Sequence, residues 1–125
     1  MIKAIGLVFL GGGLGAVFRF LIGRISIHLT TSQLPLATFV SNFISCLLLA
    51  ILLFAFQQKG ENTEKMLNAF LVIGFCGGLS TFSTFSLETF ELLKNGLFTA
   101  AILNVLFSVA MGLGTLYLIF IRYVK

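Results

Sequence analysis

Four long apolar stretches, separated by short polar segments, set the rhythm of the chain. Charged side chains are absent from residues 4–18, 25–58, 66–87 and 95–121. An α-helix needs about 20 mainly apolar residues to cross the hydrocarbon core of a bilayer. The pattern therefore predicts an all-α membrane protein with a single domain of four transmembrane helices, at about 2–29, 35–57, 64–94 and 97–122. Between the first two, Thr30-Thr31-Ser32-Gln33-Leu34-Pro35 reads as a turn, with Pro35 in the opening turn of the second helix, where its missing N–H does no harm. Residues 57–65 read as a solvent loop whose Thr63 caps the third helix, and Asn95-Gly96 as a tight turn into the fourth.

The third apolar run is interrupted from within. Gly77-Gly78 sits at its middle, and a glycine costs a helix roughly 1 kcal/mol relative to alanine. Five of the seven residues from Ser80 to Ser86 are Ser or Thr, whose hydroxyls satisfy freed backbone groups locally. The helix is expected to break over 76–81, near the membrane centre, with loose carbonyls and hydroxyls turned toward protein or ions. Phe82 and Phe85 follow, three apart and so on one face of a resumed helix. A phenyl ring carries positive charge density at its edge and can face an anion without a formal charge. Ordinary packing or lipid contact is the competing reading for both rings.

Polar residues on the other helices also fall into register. Thr38, Ser41, Asn42 and Ser45 recur at i, i+3, i+4 and i+7, one polar face on an apolar span. That face reads as a polar track in which the Asn42 amide donates to an anion; hydrogen-bonded helix–helix glue is the alternative. On the fourth helix Asn104, Ser108 and Thr115 form a thinner seam, and Gly112 and Gly114 permit close packing. On the first, Gly11-Gly12-Gly13-Leu14-Gly15-Ala16 imitates a dinucleotide-binding fingerprint. That fingerprint needs an acidic residue some 20 positions later, whereas the first carboxylate here is Glu61. Gly11 and Gly15 instead make a small-x-x-x-small face for close helix contact.

Composition agrees with a membrane protein: 58% hydrophobic residues and 10% charged ones, against about 25% charged in an ordinary soluble domain. Little chain lies outside the spans, and no nucleophile–base pair or metal cluster is present to support an enzyme. The net charge of +4 does not indicate nucleic acid, because the basic residues are scattered at helix ends. Lys3, Lys59, Lys65, Arg122 and Lys125 would share one side of the membrane, and Arg19, Arg24 and Lys94 the other. That weak bias is compatible with insertion in both orientations. Arg19 either snorkels to the interface or raises anion concentration near a vestibule. Glu88 shares the face of Thr84 and Phe85 and is expected near the interface. Cys46 and Cys76 are read as free thiols, His28 as an interfacial side chain, and Arg122 and Tyr123 as an anchor.

The glycines before Arg19, Asn42 in the second span, and above all Gly77-Gly78-Leu79-Ser80-Thr81-Phe82-Ser83-Thr84-Phe85-Ser86 carry a resemblance along the whole chain. The sequence resembles the Fluc (CrcB) family of bacterial fluoride channels. The resemblance implies an antiparallel, dual-topology homodimer in the bacterial plasma (inner) membrane. Two pores would let fluoride leave the cell passively, down its electrochemical gradient, and so protect against fluoride toxicity. It implies that Phe82 and Phe85 line each pore and that Asn42 is the pore asparagine; the polar faces read above add Thr38, Ser41, Ser83, Thr84 and Ser108 to the expected fluoride pathway. Arg19 and Glu88 would lie in the vestibules. A structural sodium ion at the dimer centre would be held by backbone carbonyls of Gly77 and Ser80 from both subunits.

The sequence departs from the family pattern at several points. Ser45 and Ala37 stand where glycine is usual, Ser80 replaces a more frequent threonine, and Asn104 sits where tyrosine is common. The alternative is a small dual-topology, proton-coupled multidrug transporter. Such a transporter needs a carboxylate embedded in the membrane, and the first span has none.

Overall fold

The computed structural model describes residues 1–29, 34–56 and 60–124. Residues 30–33 of the turn expected at 30–35, residues 57–59 of the loop expected at 57–65, and Lys125 lie outside them. Helix α1 covers Ile2–Leu29 and α2 covers Leu36–Ala55. The third span is composite. Its first part, here α3, is α-helical over Glu61–Leu67, π-helical over Asn68–Cys76, and closes with an α turn at Gly77–Leu79. Helix α4 covers Phe82–Lys94 and α5 covers Phe98–Val124. Four helical spans are long and apolar enough to cross a membrane, with α3 and α4 forming one of them, and no strand occurs among the described residues.

The expected close contact on α1 is made against the π-helical segment, the neighbour α1 touches most extensively. A Cβ on Gly11 would collide with the carbonyl oxygen of Phe70, and one on Gly15 with that of Phe75. Those glycines are four apart on an α-helix, while Phe70 and Phe75 are five apart. A π-helix closes its hydrogen bonds at i→i+5, which brings that wider spacing onto one face. Gly74 and Gly78 answer from the other side: a Cβ on Gly74 would lie 3.0 Å from the Gly11 Cα, and one on Gly78 would strike the Gly12 carbonyl. Two backbones thus approach without side chains between them, the usual source of helix affinity in lipid. Phe18 adds an edge-on contact with Phe75, ring centroids 5.6 Å apart.

Several local expectations change. Gly77 remains helical (φ −64°, ψ −35°) and Gly78 lies within the same turn. The residues with extended backbone are Ser80 (φ −77°, ψ 156°) and Thr81 (φ −152°, ψ 117°). The role of Gly78 is to admit α1 rather than to loosen the helix. Thr63 does not cap: the helix starts at Glu61 behind Gly60, which has no side chain with which to cap. Pro35 occupies the cap position just outside α2. The turn at Asn95-Gly96 is a Schellman motif, with Gly96 N–H donating to Leu93 C=O (3.0 Å) and Leu97 N–H to Leu92 C=O (2.9 Å). Gly96 has a φ of +75°, which glycine adopts without strain.

Helix α2 packs mainly on α5. Near their ends the rings of Phe54 and Tyr123 stack at 5.0 Å, with 4° between their planes. Gly112 faces α2, since a Cβ there would sit 3.4 Å from Cys46 Sγ, whereas Gly114 faces open space. Both cysteines are free thiols. The outer surface is apolar: Phe9, Phe20, Leu113 and Leu118 are all exposed, as expected of surfaces that meet lipid or a second protein. Gly15→Ala and Gly78→Ala should each destabilise the protein by about 1–3 kcal/mol through overpacking, whereas Gly6→Ala, with nothing within 4 Å of the new methyl, should be neutral. Thermal melting by circular dichroism in detergent checks this; equal melting for all three variants would refute the backbone contact.

Candidate functional site

The site is built around Thr81. In an unbroken helix the Thr81 N–H would donate to the carbonyl of Gly77. Here it donates to Asn42 Oδ1 at 2.7 Å, and Asn42 Nδ2 donates in return to the Thr81 carbonyl at 3.4 Å. One carboxamide therefore pairs with both polar groups of an extended residue, as a neighbouring strand would. The Thr81 side chain then starts α4. Its Oγ1 accepts from the Thr84 N–H (3.2 Å), a Thr N-cap, and also donates to Thr84 Oγ1 (3.0 Å). Ser83 Oγ lies 3.2 Å from the same hydroxyl. The cap diverts the donor that a continuous helix would supply to the Ser80 carbonyl. Gly77 and Ser80 thus each lose a helical donor to their carbonyls.

The polar face of α2 is turned onto the composite span. Thr38 Oγ1 donates to Glu88 Oε1 (2.8 Å), Asn42 meets Thr81, and Ser45 Oγ donates to the Cys76 carbonyl (2.8 Å). Ser41, fully buried, donates to the Ala37 carbonyl of its own helix (2.8 Å). Three of the four side chains thus make interhelical bonds, at successive depths along the third span. Burying them unpaired would cost several kcal/mol each in a medium without water.

Beside these contacts lies a cavity of about 310 Å³ into which Arg19, Thr38, Ser41, Thr81, Thr84 and Glu88 all face. The structure therefore brings the two expected vestibule residues to one space. Glu88 Oε2 is buried there with no hydrogen-bond partner among the described residues. The cavity carries a guanidinium, a carboxyl group and several hydroxyls, a set able to exchange hydrogen bonds with a hydrated ion.

The two phenylalanines sit on the first turn of α4. Their ring centroids are 6.1 Å apart with the planes tilted at 40°. Phe82 is 81% exposed, so its ring points away from its own chain, while Phe85 is half-buried. On α5 the polar seam divides. Asn104 Nδ2 donates to Thr89 Oγ1 (2.9 Å), and Ser108 Oγ is buried without a partner among the described residues. Ser108 shares a small void with Asn42. Thr115 returns to the Met111 carbonyl of its own helix (2.7 Å).

Sequence reasoning missed Thr81 and Thr89. Thr81 had a signal: a threonine three positions before Thr84, at the point where apolar periodicity resumes, is an N-cap pattern. The role of Thr89 had none, since it depends on the neighbouring helix.

Comparison with known proteins agrees along the whole chain. The family described as CrcB-like protein, Camphor Resistance (CrcB), matches residues 6–120. A fluoride-specific ion channel FluC of Flavobacterium psychrophilum is 40% identical over 111 residues, covering 89% of each chain. The protein of that name from Azobacteroides pseudotrichonymphae is 38% identical over 112 residues, 90% of this chain and 89% of the other. The Pyrococcus furiosus FluC is 38% identical over 124 residues, 98% of this chain and 95% of its own. With near-complete coverage at that identity, and four apolar spans of which the third is clamped by its neighbours, this chain belongs to the CrcB-like family.

Proposed function

We propose that the protein is a fluoride-selective ion channel of the bacterial inner membrane, working as an antiparallel homodimer and releasing fluoride down its electrochemical gradient. The relatives named as fluoride-specific channels support this reading over proton-coupled drug export. The observation that carries it in the structure is the Phe82–Phe85 pair placed directly after a break whose polar groups are held by Asn42 and Thr81. A second copy in the opposite orientation accounts for two further features. Phe82 is largely exposed, with the Phe85 ring beside it, and α5 carries Ser108 and Asn104 while exposing most of its length.

Fluoride is small and strongly hydrated, so a pore must replace its water in steps, with no single group binding too tightly. In this reading Arg19 attracts the anion to the vestibule. There the Thr84 hydroxyl, whose proton no other group takes among the described residues, exchanges with its water, and Thr38 and Ser41 join it by releasing the Glu88 and Ala37 oxygens they now bond. Glu88, engaged by Thr38, shapes that space. The ring edges of Phe82 and Phe85, the Ser83 hydroxyl, the remaining Asn42 N–H and Ser108 continue the path.

A sodium ion at the dimer centre fits the residues present. Cation sites of this kind use oxygen ligands, and the Gly77 and Ser80 carbonyls are the first and last of the four whose i+4 donors lie across the break. Bound there, the ion would supply positive charge that offsets the burial of an anion.

A fluoride electrode on proteoliposomes, with chloride as the control anion, tests the reading: fluoride efflux should far exceed that of chloride. Phe82→Ile and Phe85→Ile should each lower fluoride efflux by about tenfold or more without preventing dimer assembly; tenfold is ~1.4 kcal/mol, the upper range for one aromatic contact. Normal efflux in both variants removes the aromatic pathway. Asn42→Asp keeps an acceptor for the Thr81 N–H but loses the donor to its carbonyl and adds negative charge. Conduction should drop by a similar factor, and wild-type rates would put Asn42 outside the pore.

A further inference from the structure

We propose that Asn104 is a positioning residue for Phe85, acting through Thr89; the inference rests on the pore reading above. The Asn104 carboxamide on α5 donates to Thr89 Oγ1 at 2.9 Å, and the Thr89 hydroxyl donates to the carbonyl of Phe85 at 2.7 Å. Among the described residues this is the side-chain hydrogen bond that joins α4 to α5.

A threonine hydroxyl has one proton and two lone pairs. Alone on a helix it alternates between rotamers, some bonding the carbonyl four residues back and bending the helix there, others not. Accepting from Asn104 fixes the Thr89 oxygen in place and leaves its proton aimed at Phe85. The two bonds also polarise each other in the same direction, from amide to hydroxyl to carbonyl. The turn that carries the Phe85 ring is thereby tied to α5.

The surroundings keep the relay closed. Asn104 lies at the edge of a broad apolar cavity of about 750 Å³ lined by Phe39, Leu97, Phe98, Leu103 and Phe107. Those five side chains offer the carboxamide no acceptor, and Thr99 is the one hydroxyl-bearing residue in that lining. At the other end of the helix pair, the Schellman turn at Gly96 holds α4 and α5 together. With the turn as one fixed point and Asn104–Thr89 as the second, the azimuth of α4 at Phe85 is set from α5. Generic glue between helices would not require a hydroxyl already committed to the backbone of a pore-lining residue.

The test uses the full chain in two formats: fluoride efflux from proteoliposomes, and the 19F resonance of 4-fluorophenylalanine introduced at position 85 in detergent. Asn104→Leu and Thr89→Val should each reduce efflux about fivefold, roughly the population change for loss of one neutral hydrogen bond. Each should broaden or split a resonance that is single and narrow in the parent. The double variant should lose no more than either single one, and Thr89→Ser, which keeps the hydroxyl, should match the parent in both readouts. Normal efflux with an unmoved resonance in Asn104→Leu overturns the proposal. So does reduced efflux with an unmoved resonance, or additive loss in the double variant. If Asn104→Leu does not fold, Thr89→Val against Thr89→Ser decides by the same readouts. Normal efflux in Phe85→Ile would bring down the pore reading instead, while the resonance still reports on the positioning.

Discussion

A bilayer offers no water to a backbone that leaves its helix, and that constraint governs this molecule. Two residues, Ser80 and Thr81, adopt extended backbone between α3 and α4. Each amide or carbonyl freed there costs several kcal/mol unless something bonds it. Asn42 takes both polar groups of Thr81, and the Thr81 hydroxyl takes the Thr84 N–H. One side chain from α2 and one hydroxyl at the break thus supply three of the bonds that the helix no longer makes. The same exchange takes the helical donors away from the Gly77 and Ser80 carbonyls, the oxygens to which the proposed channel assigns its sodium ion.

The polar face of α2 therefore has a double character. Its side chains are glue in the literal sense, since Thr38, Asn42 and Ser45 bond Glu88, Thr81 and the Cys76 carbonyl. Yet two of the residues they hold, Glu88 and Thr81, also line the 310 Å³ cavity, and Thr81 directly precedes the phenylalanine pair. If the glued element lines the proposed pore, glue and track are not competing descriptions. Rigid support by a second layer of hydrogen bonds is also what selectivity among small ions demands, because a slack pore accommodates larger ones.

Glycine acts here by absence of bulk. On α1 and α3, Gly11, Gly15, Gly74 and Gly78 let two backbones touch, and the π-helical spacing of Phe70 and Phe75 matches the α-helical spacing of the facing glycines. In a membrane, where apolar burial against a neighbour gains little over lipid, such contacts supply much of the cohesion. They anchor the first half of the third span so that α2 and α5 can position the second half.

The sequence by itself determined the number of spans, because charges cannot sit freely in lipid and the four uncharged runs leave little choice. It also determined the family, through a long hydroxyl-and-phenylalanine motif with few other uses. It suggested the face of α2, since a period of 3.6 residues is legible without coordinates. Tertiary structure decided what each polar group bonds. That Asn42 pairs with Thr81, that Ser41 turns back on its own helix, and that Asn104 reaches Thr89 are outcomes of helix azimuth and depth, which no local pattern encodes. The glycine pair shows the limit most plainly: propensity marked Gly77-Gly78 as the weak point, but the backbone leaves the helix two residues later. There, loss of the helical bonds is compensated by Asn42 on another helix and by the Thr81 cap, and at Gly78 it is not.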